Sequence, residues 1–182
     1  MNIVISCNDD YIVPARILID SIAVHNRNVA LWFVYHTVTE NNLGALNKQT
    51  NEYGWKFYPV KIKEHFRTIA AELPCHMHFS EEMYYRLFLP WLLPDCERVL
   101  YLDCDILVRG SLSELYDFDL EDNYVGAAHD VNKEIRRESI VRLKLKGEYS
   151  DLGDTTVRSF RNRHSGIKET AIPVLETNHI VP

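Results

Sequence analysis

No run in this chain is long and apolar enough for a membrane helix, which needs about 18 such residues. The greasiest stretch, Leu87 to Pro94, is interrupted by Pro90 and Pro94. The opening residues, Met1-Asn2-Ile3-Val4-Ile5-Ser6, have neither a basic region nor a small-residue cleavage site, so no signal peptide is read there. The cysteines Cys7, Cys75, Cys96 and Cys104 make no CxxC pair, and reduced, mostly buried thiols in a cytoplasmic chain are expected. The histidines make no HExxH spacing. A basic excess is also missing. With 20 Lys+Arg against 26 Asp+Glu the formal net charge is −6, a poor match for a nucleic-acid binder. There is no internal repeat and no low-complexity tract.

What is present is ordinary globular material. The 182 residues are 46% hydrophobic and 25% charged, enough for one domain with a sizeable core. Asn2 to Cys7 reads as a buried strand. A helix is expected from about Val13 to His25, with Val13, Ile17, Leu18 and Ile22 at helical spacing. Ala30 to His36 is a second strand. Thr39 can cap a helix carrying Leu43, Leu46 and Tyr53, ended by Gly54. Trp55 to Val60 is a third strand. This alternation predicts an α/β fold with a mostly parallel central sheet flanked by helices.

Further on, a helix is expected from Ser80 through Arg86 towards Leu92. Arg98 to Leu102 is a strand, and Ile106 to Val108 a short extended piece. Ser111 and Glu114 read as a capping box. Tyr124 to Ala128 is another strand, and Asn132 to Lys146 a basic helix. Beyond Glu148 no period of two or 3.6 persists.

The strongest local signal is Asp103-Cys104-Asp105 after a buried strand. In an extended chain, side chains two apart share a side. Both carboxylates then face one way and Cys104 the other, which suits a hard cation such as Mg²⁺ or Mn²⁺. The carboxyl ends of parallel strands are also where open α/β sheets bind ligands. A lone Asp-x-Asp can equally be a strand-ending turn. An EF-hand is excluded because Leu107 stands where an oxygen donor is needed.

Cys7-Asn8-Asp9-Asp10-Tyr11, at the end of the first strand, could meet a base or ribose, with Tyr11 stacking; the alternative is a helix-capping Asp. Arg86 could balance diphosphate charge or pair with Glu82, four residues back. Asp130 is a further strand-end carboxylate, or simply a loop residue. The basic run Lys133 to Lys146 is a solvated helix face or a contact with an anionic surface.

In order and spacing, these segments together resemble glycosyltransferase family 8. The matching stretches are Ile3 to Tyr11, Tyr84-Tyr85-Arg86-Leu87, Arg98 to Val108, Ser111-Leu112 with Leu115-Tyr116, and Gly126-Ala127-Ala128-His129-Asp130. The resemblance implies a GT-A (Rossmann-like) nucleotide-diphospho-sugar transferase fold. It also implies a retaining transfer of a hexose, galactose or glucose, from a UDP-sugar to a saccharide or glycolipid acceptor. Cys7, Asn8, Asp9, Asp10, Tyr11, Arg86, Asp103, Cys104 and Asp105 are then the expected nucleotide-sugar contacts. Asp103 and Asp105 are the expected ligands for Mn²⁺ (or Mg²⁺). Asp130 is the expected catalytic-site carboxylate, holding the donor sugar. A cytoplasmic location follows, with peripheral contact at an inner membrane surface and no nucleic-acid partner.

Residues 1–148 are expected to form the nucleotide-sugar-binding domain. Residues 149–182 are expected to be an irregular tail, truncated or divergent from the family. Ser150-Asp151-Leu152-Gly153-Asp154 stands where the family has Phe-Asn-Ser/Ala-Gly-Val. The family's His-x-x-Gly-x-x-Lys motif, source of a third metal ligand, is missing, and His164-Ser165-Gly166-Ile167-Lys168 has the wrong spacing. A nucleotide-sugar-binding domain without turnover is therefore a second reading. A haloacid-dehalogenase-type phosphohydrolase, which also uses Asp-x-Asp after a strand, is a remote third.

Overall fold

The computed structural model describes residues 1–73, 81–121, 123–127 and, as backbone, 157–161. The strands are β1 (Asn2–Ser6), β2 (Ala30–Tyr35), β3 (Lys56–Lys61), β4 (Arg98–Leu102), β5 (Val125–Ala127) and β6 (Val157–Arg161). The helices are α1 (Ile12–His25), α2 (Glu40–Glu52), α3 (Glu64–Glu72), α4 (Leu89–Leu92) and α5 (Ser113–Asp117). Two 3-10 segments, Asp9–Tyr11 and Glu81–Phe88, complete the elements.

The sheet order is β3-β2-β1-β4-β6-β5. β3, β2, β1 and β4 are parallel neighbours, and β6 runs antiparallel between β4 and β5. The chain therefore steps from β1 outward to β3, then returns to place β4 on the other side of β1. That reversal creates a crevice at the carboxyl ends of β1 and β4, the position where doubly wound sheets bind ligands.

Both faces of the sheet are covered, which explains why its strands read as continuous apolar runs. Alternation divides β1 between two cores. Ile3 and Ile5 pack with Leu18, Ile19 and Ile22 of α1 and Leu46 of α2. Val4 packs on the opposite face with Tyr85, Phe88, Leu89 and Tyr101. α2 ends where Gly54 adopts φ +69°, a conformation that L side chains resist.

Several sequence expectations need correction. The helix expected from Ser80 to Leu92 is a 3-10 segment followed by the short α4. Proline at 90 lacks an N–H, and its ring would clash with the carbonyl of residue 86, so one α-helix cannot run through it. α3 had no sequence signal strong enough to be singled out. Its one fully buried residue is Ala70, and it is tied down from a distance by Arg67 Nε to Glu81 Oε1 at 3.0 Å. The expected capping box does not form: the N-cap of α5 is Leu112, and Ser111 Oγ accepts the Ser113 N–H instead. Ile106 to Val108 is not a strand.

β6 lies within residues 149–182, where an irregular tail is expected. Its five residues are too few for a period to emerge, but its backbone pairs on both sides, Leu100 with Ser159 and Gly126 with Ser159. The expected basic helix Asn132 to Lys146 lies outside the described residues.

Candidate functional site

β1 and β4 are in register, Ile3 opposite Leu100 and Val4 opposite Tyr101. They end together, so Cys7–Tyr11 and Asp103–Asp105 leave the sheet side by side at the crevice. Two contacts lock this edge. The Cys104 thiol donates to the Ser6 carbonyl at 3.4 Å, and Ser6 Oγ donates to the Glu82 carbonyl at 3.4 Å. The second contact brings the segment carrying Arg86 to the same place.

Arg86 Nη2 donates to Asp103 Oδ1 at 2.9 Å, with side-chain exposures of 11% and 22%. The guanidinium also lies over the Tyr101 ring, 4.7 Å from its centroid, close enough for cation–π attraction. The buried Tyr101 hydroxyl is itself hydrogen-bonded to Asp103. Burial, foremost, pushes that phenol above its ordinary range, so it stays a donor. Arg86 thus pairs with Asp103 and not with Glu82, and the pair is partly buried.

After Asp103 the chain turns at Cys104 and Asp105. Cys104 faces the core and Asp105 is exposed, but through this turn and not through the extended alternation expected from the sequence. Cys7 is also buried. The neighbouring Cys7 thiol, foremost, and burial hold the Cys104 thiol above its ordinary range. With both side chains turned inward, any nucleotide contact at Cys7 or Cys104 falls to the backbone.

The β1 loop divides its labour. Asn8 Oδ1 accepts the Asp10 N–H at 3.1 Å and shapes the 3-10 turn. Asp10 is exposed, and Tyr11 is 49% exposed. Asp9 is engaged within the fold: its carboxylate accepts from Asn42 Nδ2 at 2.8 Å and from the Thr39 N–H at 3.0 Å. These bonds, the Asn42 one foremost, hold its carboxyl below the usual aspartate range. Thr39 occupies the N-cap of α2, but its side chain makes no capping bond. Asp130 lies outside the described residues.

Sequence reasoning passed over the residues that hold the Asp103–Leu112 loop. Ser21 Oγ accepts the Val108 N–H at 3.0 Å. Asn26 Oδ1 accepts the Leu112 N–H at 2.8 Å. Both residues are buried at the α1 side of the loop. Polar residues among the buried positions of an apolar helix face were the available signal.

Asp103 and Asp105 offer hard carboxylate oxygens, and among the described residues no cluster of three or more His, Cys, Asp or Glu gathers that could hold a metal. A family model, Glycosyl transferase family 8, matches residues 2–170.

The chain belongs to glycosyl transferase family 8.

The family match extends past residue 149, where the resemblance read from sequence fades, and it sets aside the phosphohydrolase reading. The lipopolysaccharide 1,2-glucosyltransferase of Escherichia coli (strain K12) is 26% identical over 184 residues, covering 96% of this chain and 52% of that protein. Glycosyltransferase GlyF of Streptococcus pneumoniae serotype 4 is 29% identical over 131 residues, covering 71% of this chain and 32% of GlyF. The crystal structure of the galactosyltransferase LgtC in complex with donor and acceptor sugar analogs superposes with a TM-score of 0.77 at 26% identity. That match covers 88% of this chain and 58% of LgtC. The family 8 chain described here thus spans about a third to a half of these two curated relatives. The GT-A arrangement of a mostly parallel sheet with flanking helices is shared with LgtC. No helix among the described residues is long and apolar enough to cross a membrane.

Proposed function

We propose that this family 8 chain transfers a hexose, galactose or glucose, from a UDP-sugar to a saccharide or glycolipid acceptor with retention of configuration. The observation that carries the proposal is the convergence of Asn8–Tyr11, Arg86 and Asp103–Asp105 at the β1/β4 crevice. The relatives' names, a glucosyltransferase and a galactosyltransferase bound to donor and acceptor analogs, support the same class.

Asp103 and Asp105 would hold Mn²⁺, or Mg²⁺. Such a cation, when bound, neutralises the diphosphate that departs with the nucleotide. Arg86 keeps its guanidinium at the same carboxylate and adds fixed positive charge where diphosphate charge develops. By resemblance, Asn8 and Asp10 would contact uracil and ribose, and Tyr11 offers an exposed ring for stacking. Asp130, by resemblance, holds the donor sugar. The reaction would take place on the cytoplasmic side.

The test is turnover. The chain is incubated with UDP-galactose or UDP-glucose, Mn²⁺ and a saccharide acceptor; UDP release and the anomeric configuration of the product are followed by NMR. A product with the donor's α configuration is expected. An inverted product, or transfer indifferent to chelation of the cation, contradicts the proposal. Metal-dependent UDP binding with no transfer and no hydrolysis favours a nucleotide-sugar-binding domain without turnover.

A further inference from the structure

Two of the described cysteines meet where β1 and β4 leave the sheet. Ile3 of β1 lies opposite Leu100 of β4, and Val4 opposite Tyr101. The same offset, carried along both segments, sets Cys7 opposite Cys104. Neighbouring strands stand about 4.8 Å apart, and the Cα atoms of a disulfide lie about 4.4–6.8 Å apart. The two strands therefore deliver these residues at bridging separation.

Side-chain direction agrees. One core cluster holds Ile3, Ile5 and Cys7 from the first segment and Leu100, Leu102 and Cys104 from the second. The Cys104 thiol leans towards β1, since it donates to the Ser6 carbonyl at 3.4 Å, and Cys7 is the next residue. Both cysteines are unbridged and buried. Cys96 sits in the core on the opposite face of the sheet, so among the described residues neither has another thiol partner. Cysteines that serve only as small apolar side chains need neither a common register nor a common face; these two share both.

We propose that Cys7 and Cys104 form a dithiol modification site, which a peroxide oxidises to an intramolecular disulfide. One thiolate attacks a peroxide oxygen, the O–O bond breaks, and a sulfenic acid and hydroxide form. The second thiolate attacks the sulfenic sulfur; the S–S bond forms as the S–O bond breaks and releases a second hydroxide. The two thiol protons turn both hydroxides into water. The sulfurs together lose two electrons, and the peroxide gains them. Burial keeps the thiols from reacting while this edge is closed, so oxidation waits on local opening at the strand ends. The bridge fastens the loop that begins at Asn8 to the turn that carries Asp105. This chemistry is independent of sugar transfer.

The experiment treats the folded full chain with hydrogen peroxide, alkylates the remaining thiols under denaturing conditions, and maps unreduced peptides by mass spectrometry. A Cys7–Cys104 cross-link is expected, reversed by dithiothreitol. The oxidised chain should melt at least about 5 °C above the reduced one, because the bridge closes a long loop. Cys75→Ala combined with Cys96→Ala should keep both the cross-link and the shift, and Cys7→Ala should lose both. The mapping needs only the parent chain, so a poorly folding variant does not spoil it. Both thiols left reduced, after an exposure that oxidises them in the unfolded chain, overturn the proposal. So do sulfinic acids in place of the cross-link, a bridge to Cys75 or Cys96, or a cross-link that leaves the melt unmoved.

Discussion

Arg86 and Asp103 form a partly buried ion pair, 2.9 Å from Nη2 to Oδ1, and both touch Tyr101, one through its ring and the other through its hydroxyl. The pair joins the 3-10 segment to the end of β4, and it brings a cation to the carboxylate that the proposed function assigns to a metal. Arg86→Met should cost about 2 kcal/mol of stability, because it leaves a poorly solvated carboxylate with only its remaining partners. Denaturant unfolding checks this. The same variant should bind UDP in the presence of Mn²⁺ at least about tenfold more weakly, a difference of 1.4 kcal/mol, in calorimetric titration.

Asn26 is far from the crevice in sequence but holds the loop that leaves it. Asn26→Ala removes the acceptor for the buried Leu112 N–H. A loss of about 1–3 kcal/mol is expected. Faster hydrogen exchange at the Val108 and Leu112 amides would show that the loop, and not only the global fold, has loosened.

Asp9 gives a pH signature. Its folded carboxyl titrates below the ordinary value of 3.8. Its contribution is therefore fully present above about pH 4 and is lost as pH falls through the lower folded value. Asp9→Ala should melt below the parent protein at pH 7, and the two melting curves should converge as the solution is acidified below pH 4. Parallel curves at all pH values would mean that Asp9 does not anchor α2 through Thr39 and Asn42.

A side chain at Gly126 fits only if the buried Leu120 side chain shifts. A Cβ there would lie 2.6 Å from Leu120 Cδ2, and Leu120 is itself buried. Gly126→Ala should destabilise by about 1–3 kcal/mol, the range for overpacking. The double variant Gly126→Ala with Leu120→Ala should show non-additive recovery in unfolding experiments.

Much of the parallel sheet was legible from sequence because strands buried on both faces leave unbroken apolar runs, as at Ile3–Ile5 and Val99–Leu102. α1 and α2 were legible from spacing, and Asp103, Asp105 and Arg86 are singled out by residue type and order. The partner of Arg86 was not, because Glu82 is nearer in sequence, whereas this segment meets β1 through long-range contacts such as Ser6–Glu82 and Val4–Tyr85. β6 escaped notice because backbone pairing, and not side-chain pattern, makes it a strand. α3 escaped because its docking depends on Arg67 meeting Glu81, fourteen residues away.

The most direct measurement is calorimetric titration of UDP into the chain with and without Mn²⁺, repeated on Asp105→Asn. Asp105 is exposed, so the variant should keep its stability within about 0.5 kcal/mol. The parent should bind UDP only when Mn²⁺ is present, and the folded Asp105→Asn variant should lose that binding. UDP binding that is indifferent to Mn²⁺, or unaltered by Asp105→Asn, would contradict a metal-held diphosphate at the β1/β4 crevice.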